Sequence, residues 1–157
     1  MASRLKEEIK QIKPFSDIEQ ETLLNIHRTS GHVMHFLQQI LKKQGLTDSQ
    51  YNVLRILRGA GREGLRCMEI ADRMISREPD ITRLLERLER QRLIERRRDE
   101  TDRRVVYTRV SREGLALLKE LDPTIEAVSK TLLKHMDSEK LRTLIGLLEN
   151  VRQGAVI

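Results

Sequence analysis

The sequence predicts a mainly α-helical fold that carries one small β-hairpin. Three observations lead there. Apolar residues recur at steps of three and four through most of the chain, the period of a helix face. Between 93 and 110 that period gives way to alternating β-branched residues, which suit a pleated surface. Long periodic segments flank a middle region of shorter ones. At 157 residues the chain is long enough for one compact domain and short for two.

The first long periodic segment covers 18–43, with Leu23, Ile26, Val33, Leu37 and Ile40 on its apolar stripe and Gly45 just past its end. Glycine closes helices there because it tolerates the left-handed conformation. Thr47 and Gln50 form a capping box bracketed by Leu46 and Tyr51, so a helix starts near Asp48. It buries Tyr51, Leu54 and Leu57 and stops at Gly59-Ala60-Gly61. Short helices are expected at 66–75 and 79–92, the second opened by Pro79 as a first helical residue whose missing N–H is not needed. Strands are expected at 93–98 and 104–110, joined by Asp99-Glu100-Thr101-Asp102. Ser111 caps the helix that follows. Leu118, Leu121, Ile125, Val128 and Leu132 then make a heptad seam. Pro123 predicts either a kink there or a fresh start capped by Asp122. A last helix begins at Asp137-Ser138, with Leu141, Leu144, Ile145, Leu148 and Val151 on one face. Three short helices followed by a β-ribbon is the winged helix-turn-helix layout.

Composition narrows the function. Thirty Lys and Arg against 24 Asp and Glu give a net charge of +6, which favours a polyanionic partner: nucleic acid first, an anionic membrane surface second. With two Phe, two Tyr and no Trp, the core is aliphatic, and aromatics for stacking single-stranded bases are lacking. The single Cys67 excludes an intrachain disulfide and a cysteine cage for metal, and fits a reducing cytosol. The charged N-terminus is no signal peptide, and no apolar run is long enough to span a membrane. Phosphate loops, metal-ligand spacings and nucleophile elbows are missing, so neither an enzyme nor a cofactor is expected.

The chemistry concentrates in two places. On a wheel of about 100° per residue, Ile81, Leu84, Leu85 and Leu88 share one face of helix 79–92. Arg83, Glu86, Arg87 and Arg90 share the other, with Thr82 on its flank. An apolar back and a guanidinium-rich front suit a major groove, where Arg grips guanine bidentately. Because the N-terminal turn does the base reading in this motif, Thr82 and Arg83 are the expected base contacts, with Arg77 and Glu78 close by. Glu86 either accepts from cytosine or pairs with Arg90. In the hairpin, Arg96, Arg97 and Arg98 precede the turn and Arg103 and Arg104 follow it. Their crowding suits phosphates or a narrow minor groove, and a salt bridge from Asp102 would hold Arg104 extended. The bland alternative at both places is an ordinary solvated charged surface.

Asp102-Arg103-Arg104, then six residues, then Ser111-Arg112-Glu113-Gly114 resembles the wing signature of MarR regulators. Glu69-Ile70-Ala71 and the run 81–89 (ITRLLERLE) resemble that family's turn and recognition helix. The likeness covers about 18–150. It implies a bacterial cytoplasmic, nucleoid-associated homodimeric repressor that binds a palindromic operator in double-stranded DNA and is released by small aromatic compounds. Segments 18–44 and 111–152 would then be dimerisation helices, and 48–110 the winged helix-turn-helix, with its wing at 93–110. The sequence departs from the family at Arg92, where glycine is usual.

Smaller features fit around this reading. Cys67 reads as a small buried residue rather than a reactive thiol. His27, His32, His35 and His135 lack the neighbouring ligands of a metal site. His27 and His35 lie two turns apart on one side of the first helix and, with Tyr51, are candidates to line an effector pocket. The terminal helices carry more apolar stripe than one small unit can cover, which favours a dimer. The runner-up function is a winged-helix docking module without DNA, against which the wing arginines argue.

Overall fold

The computed structural model describes residues 4–154. In chain order they form α1 (Arg4–Glu8), α2 (Ile18–Lys43), α3 (Asp48–Ala60), α4 (Cys67–Asp72), α5 (Ile81–Arg90), β1 (Ile94–Arg98), β2 (Val106–Val110), α6 (Arg112–Leu133) and α7 (Ser138–Gln153). This is the mainly helical fold with one hairpin that the periodicity predicts, with α1 as an addition too short to leave a periodic signal. Two compact units divide the chain, Met1–Leu118 and Lys119–Ile157. No helix among the described residues is long and apolar enough to cross a membrane.

The first unit is built on caps and an aliphatic core. The Asp17 carboxylate accepts from the Gln20 amide at 2.7 Å and opens α2. That bond, seconded by the Ser16 hydroxyl, holds the Asp17 carboxyl below its usual range. The expected capping box starts α3: the Gln50 amide donates to the Thr47 hydroxyl at 3.2 Å and the Thr47 amide to the Gln50 side chain at 2.9 Å. Leu54 and Leu57 of α3, Ile70 of α4, and Leu85 and Leu88 of α5 are fully buried or nearly so. Tyr51 is the lone aromatic among the buried residues described, as the composition requires.

The start of α5 differs from expectation. Pro79 lies outside the helix; Asp80 is the cap, accepting from the Arg83 amide at 3.0 Å. A side-chain acceptor satisfies an orphan N–H, which a proline can only omit. The helix then ends in a Schellman pattern, with the Leu93 amide bonded to the Leu88 carbonyl and the Arg92 amide to the Glu89 carbonyl. Arg92 takes the left-handed conformation itself, with φ 60°.

The strands pair antiparallel, from Ile94 opposite Val110 at the base to Arg98 opposite Val106 near the turn. Leu65 adds a single-residue bridge on the far side of β2, exchanging bonds of 2.9 and 2.8 Å with Thr108. Gly64 makes this approach feasible: its φ is 75°, and a Cβ there would run into the Thr108 carbonyl. At the wing's root the Ser111 hydroxyl accepts from the Gly114 amide at 3.0 Å, as a cap, and donates to the Arg92 carbonyl at 2.7 Å. Gly114 is required because a Cβ would collide with the Leu93 carbonyl.

α6 runs unbroken through Pro123, so Asp122 starts no new helix. Proline removes one hydrogen bond there, and Leu118 and Leu121, buried in the turns just before it, offset the loss. Farther along the seam Ile125, Val128 and Leu132 are partly exposed. α7, capped by Asp137, buries no residue at all. Its Ile145 and Leu147 are 56% and 58% exposed.

Candidate nucleic-acid interface

Burial of Leu84, Leu85 and Leu88 turns the opposite face of α5 outward. Thr82, Arg83, Glu86, Arg87 and Arg90 are all exposed, as the helical wheel requires. Arg77 is also exposed, and Glu78 partly so, in the loop that leads into α5. Glu78, Asp80, Arg83 and Arg87 line one groove with Thr47 and Ser49 from the start of α3. Arg90 reaches the backbone carbonyl of Glu86 at 3.4 Å. Of the two alternatives for Glu86, the ion pair with Arg90 is not made among the described residues; the Arg90 Nε bonds the backbone and the rest of the guanidinium points outward. Thr82 is approached from α4, with the Cys67 sulfur 4.0 Å from its hydroxyl. Cys67 is partly exposed, not buried as expected.

The wing sorts its arginines into two groups. Arg97, Arg98, Arg103 and Arg104 are exposed and make no ion pair among the described residues. Arg96 is turned back toward α5, its Nε 3.4 Å from the Glu89 carboxylate. Sequence reasoning counted all five as one cluster; strand alternation was the signal that could have separated Arg96 from Arg97. Arg109 and Glu95, opposite each other at the base, form a two-pronged bond of 2.9 and 2.7 Å.

Acidic residues build the turn. The Asp99 carboxylate accepts from the Thr101 and Asp102 amides at 2.8 and 2.9 Å. Those bonds, with smaller help from Arg97 and Arg66, hold its carboxyl below the usual range. Asp102 accepts from the backbone amide of Arg104 at 3.0 Å, not from its guanidinium. It shapes the turn that presents Arg103 and Arg104 and does not grip the probe itself.

The other predicted site residues lie apart from this face. His27 and His35 are exposed on α2, His35 bonded to the Gln39 side chain at 2.8 Å. Tyr51 is buried on α3, with the Arg55 guanidinium 5.9 Å from its ring centre. Among the described residues no group of three or more His, Cys, Asp or Glu converges to hold a metal.

The sequence profile of the MarR family matches residues 44–105, the stretch that holds α3 to the wing turn. The homoprotocatechuate degradative operon repressor of Escherichia coli is 30% identical over 116 residues, which is 74% of this chain and 77% of the relative. The chain belongs to the MarR family. The transcriptional regulator MhqR of Bacillus subtilis is 26% identical over 126 residues, 80% of this chain and 86% of its own. Among solved structures, a MarR transcription factor from Planctomyces limnophilus superposes with a TM-score of 0.67 at 36% identity, covering 87% of this chain and 98% of its own. MepR of S. aureus, solved with DNA, shares the fold with a TM-score of 0.74 at 23% identity, over 82% of this chain and 94% of its own. As a member of the MarR family this protein is a DNA-binding transcriptional regulator and not an enzyme.

Proposed function

We propose that this MarR-family protein acts as a homodimeric repressor on a palindromic operator. One observation carries the reading: the exposed guanidinium face of α5, backed by buried leucines, is accompanied on the wing by four arginines without ion-pair partners among the described residues. In this reading α5 enters the major groove. Thr82 and Arg83 read base edges, Arg77 and Glu78 lie beside them, and Arg87 and Arg90 reach phosphates. The wing follows the adjacent minor groove, with Arg97, Arg98, Arg103 and Arg104 as probes and Asp102 shaping their turn.

Two-fold symmetry places the half-sites about 10 bp apart, or a near multiple. α2, α6 and α7 supply the dimer contact: Leu23 and Val33 on α2, Leu133 on α6, and Ile145, Leu147 and Val151 on α7 are exposed apolar residues. A small aromatic effector releases the operator by favouring a spacing of the recognition helices that does not match DNA. The operon named for the E. coli relative, that for homoprotocatechuate, supports an aromatic signal, and His27, His35 and Tyr51 are the residues assigned to it. A bacterial cytoplasm, at the nucleoid, is where such a repressor acts.

The test is binding to DNA from upstream of the protein's own gene, against scrambled DNA, at several salt concentrations. Arg83→Ala is expected to lose discrimination at particular bases. Arg97→Ala is expected to weaken all sequences alike and to make the slope of log affinity against log salt shallower by about 0.9. Equal effects of both variants on both DNAs would sink this division of labour. Weak, equal binding of the parent protein to both DNAs would favour the docking-module reading.

A further inference from the structure

A sugar–phosphate strand separates the major groove of a duplex from the minor groove beside it. A protein that puts one element in each groove must leave room for that strand between them. Such a place is open between α4 and the wing. A cavity of about 560 Å³ is lined there by Arg66, Met68 and Glu69 on one side and by Arg104 and Val106 on the other. It adjoins both reading elements. Cys67, also on its wall, has its sulfur 4.0 Å from the hydroxyl of Thr82 on α5, and Arg104 is one of the exposed arginines of the wing.

Two guanidinium groups share this cavity with one carboxylate. Glu69 is committed to the backbone: it accepts from the Arg66 amide at 2.8 Å, while the Arg66 Nε stays 3.8 Å away. The Arg66 guanidinium lies 5.9 Å from the centre of the Tyr107 ring on β2. It therefore reaches from α4 toward the wing, and a guanidinium has five N–H groups to donate. Met68 is 70% exposed and Val106 is exposed beside it, a placement that leaves apolar surface in water. Charge next to apolar surface fits a chain that alternates in the same way, phosphate with deoxyribose. An inorganic anion would use the arginines alone. We propose that this cavity seats the sugar–phosphate strand between the two grooves, with Arg66 on a phosphate and Met68 and Val106 against the adjoining deoxyribose. Arg66 and Met68 thereby join the DNA contacts from outside both the recognition helix and the tip of the wing. A contact of this kind fixes the position of the protein on the duplex and reads no base. The placement rests on the operator-binding reading above, which puts α5 and the wing in neighbouring grooves.

The experiment is interference footprinting of the full chain on DNA from upstream of its own gene. Ethylation of phosphates marks backbone contacts; methylation of guanine N7 and of adenine N3 marks the major and the minor groove on the same fragment. Arg66→Gln is expected to lose interference at a phosphate between the N7 and N3 marks of each half-site and to keep the rest. Its slope of log affinity against log salt should be shallower by about 0.9 for each phosphate lost. Arg66→Lys, which keeps the charge, should retain both the mark and the slope. Met68→Ala is expected to weaken operator and scrambled DNA alike by about fivefold, with the slope unchanged. Both positions are exposed, so the variants should melt as the parent does. An Arg66→Gln pattern identical to the parent's, a lost phosphate outside that interval, or parental affinity in Met68→Ala overturns the seat and leaves the operator-binding reading standing. A parent protein that gives no mark in either groove overturns both.

Discussion

Arg92 does what a glycine does elsewhere in its family. Its φ of 60° is the left-handed region, which costs a residue with a Cβ about 1–2 kcal/mol. The Schellman bonds and the Ser111 hydroxyl on its carbonyl hold it there regardless. Relief of that strain, less the larger chain entropy of glycine, sets the expected gain. Arg92→Gly should raise unfolding stability in urea by about 0.5–1 kcal/mol with an unchanged fold. Asp99 gives the pH dependence. Its folded carboxyl lies below the ordinary 3.8, so the charged form's bonds support the turn above that value. The support fades as pH falls through the lowered one. Hydrogen exchange of the Thr101 and Asp102 amides should therefore accelerate only on acidification below about 3.8, with Asp99→Asn already fast at neutral pH. Single residues were legible where a side chain's local bond fixes the backbone, as at Thr47, Gln50 and Ser111. They were illegible where two neighbouring groups competed for one role. Asp80 displaced Pro79 as the start of α5, and Asp102 chose a backbone amide over a guanidinium, because an adjacent amide costs no side-chain ordering.

At the scale of elements, two of the ties between the wing and its neighbours decide how it is aimed. Arg96 joins β1 to the last turn of α5 through Glu89, and Leu65 joins β2 to the segment before α4. Arg96 is therefore a strut between the element assigned to the major groove and the one assigned to the minor groove. Arg96→Met should lower operator affinity while leaving the salt slope unchanged, since no phosphate contact is lost. A slope shallower by about 0.9 would make Arg96 one more probe. The three short helices and the hairpin could be read from period alone. The Leu65–Thr108 bridge could not, because one paired residue has no period; only Gly64, needed for a positive φ and a close approach, hinted at it. The unbroken α6 was likewise hidden, since proline in a sequence signals a lost bond but not the burial around it.

For the whole molecule, the outstanding fact is apolar surface left uncovered within one chain. Ile145 and Leu147 on α7 and Leu23 on α2 are more than half exposed. A second copy is the proposed cover. Sedimentation of the parent protein should give a dimer, and Ile145→Glu with Leu147→Glu a folded monomer with much weaker operator binding. A parent that sediments as a dilute monomer would remove the two-fold operator as well. The apolar stripes of the first and last long helices made Leu23 and Ile145 legible, Leu147 lies off the stripe read from spacing, and which copy covers which stripe is not encoded in spacing. The Leu65 bridge, finally, divides the hairpin into parts with different freedom to change. Residues there are fixed in register by three backbones meeting, so insertion or deletion of one residue in β1 would shift Arg97 and Arg98 to the opposite face. Among the described residues the loop at 99–102 pairs with no third backbone. Relatives that diverge in operator preference can lengthen, shorten or recharge this tip while the root stays the same, and a grafted tip from another wing should need no refitting below Arg98 and Val106.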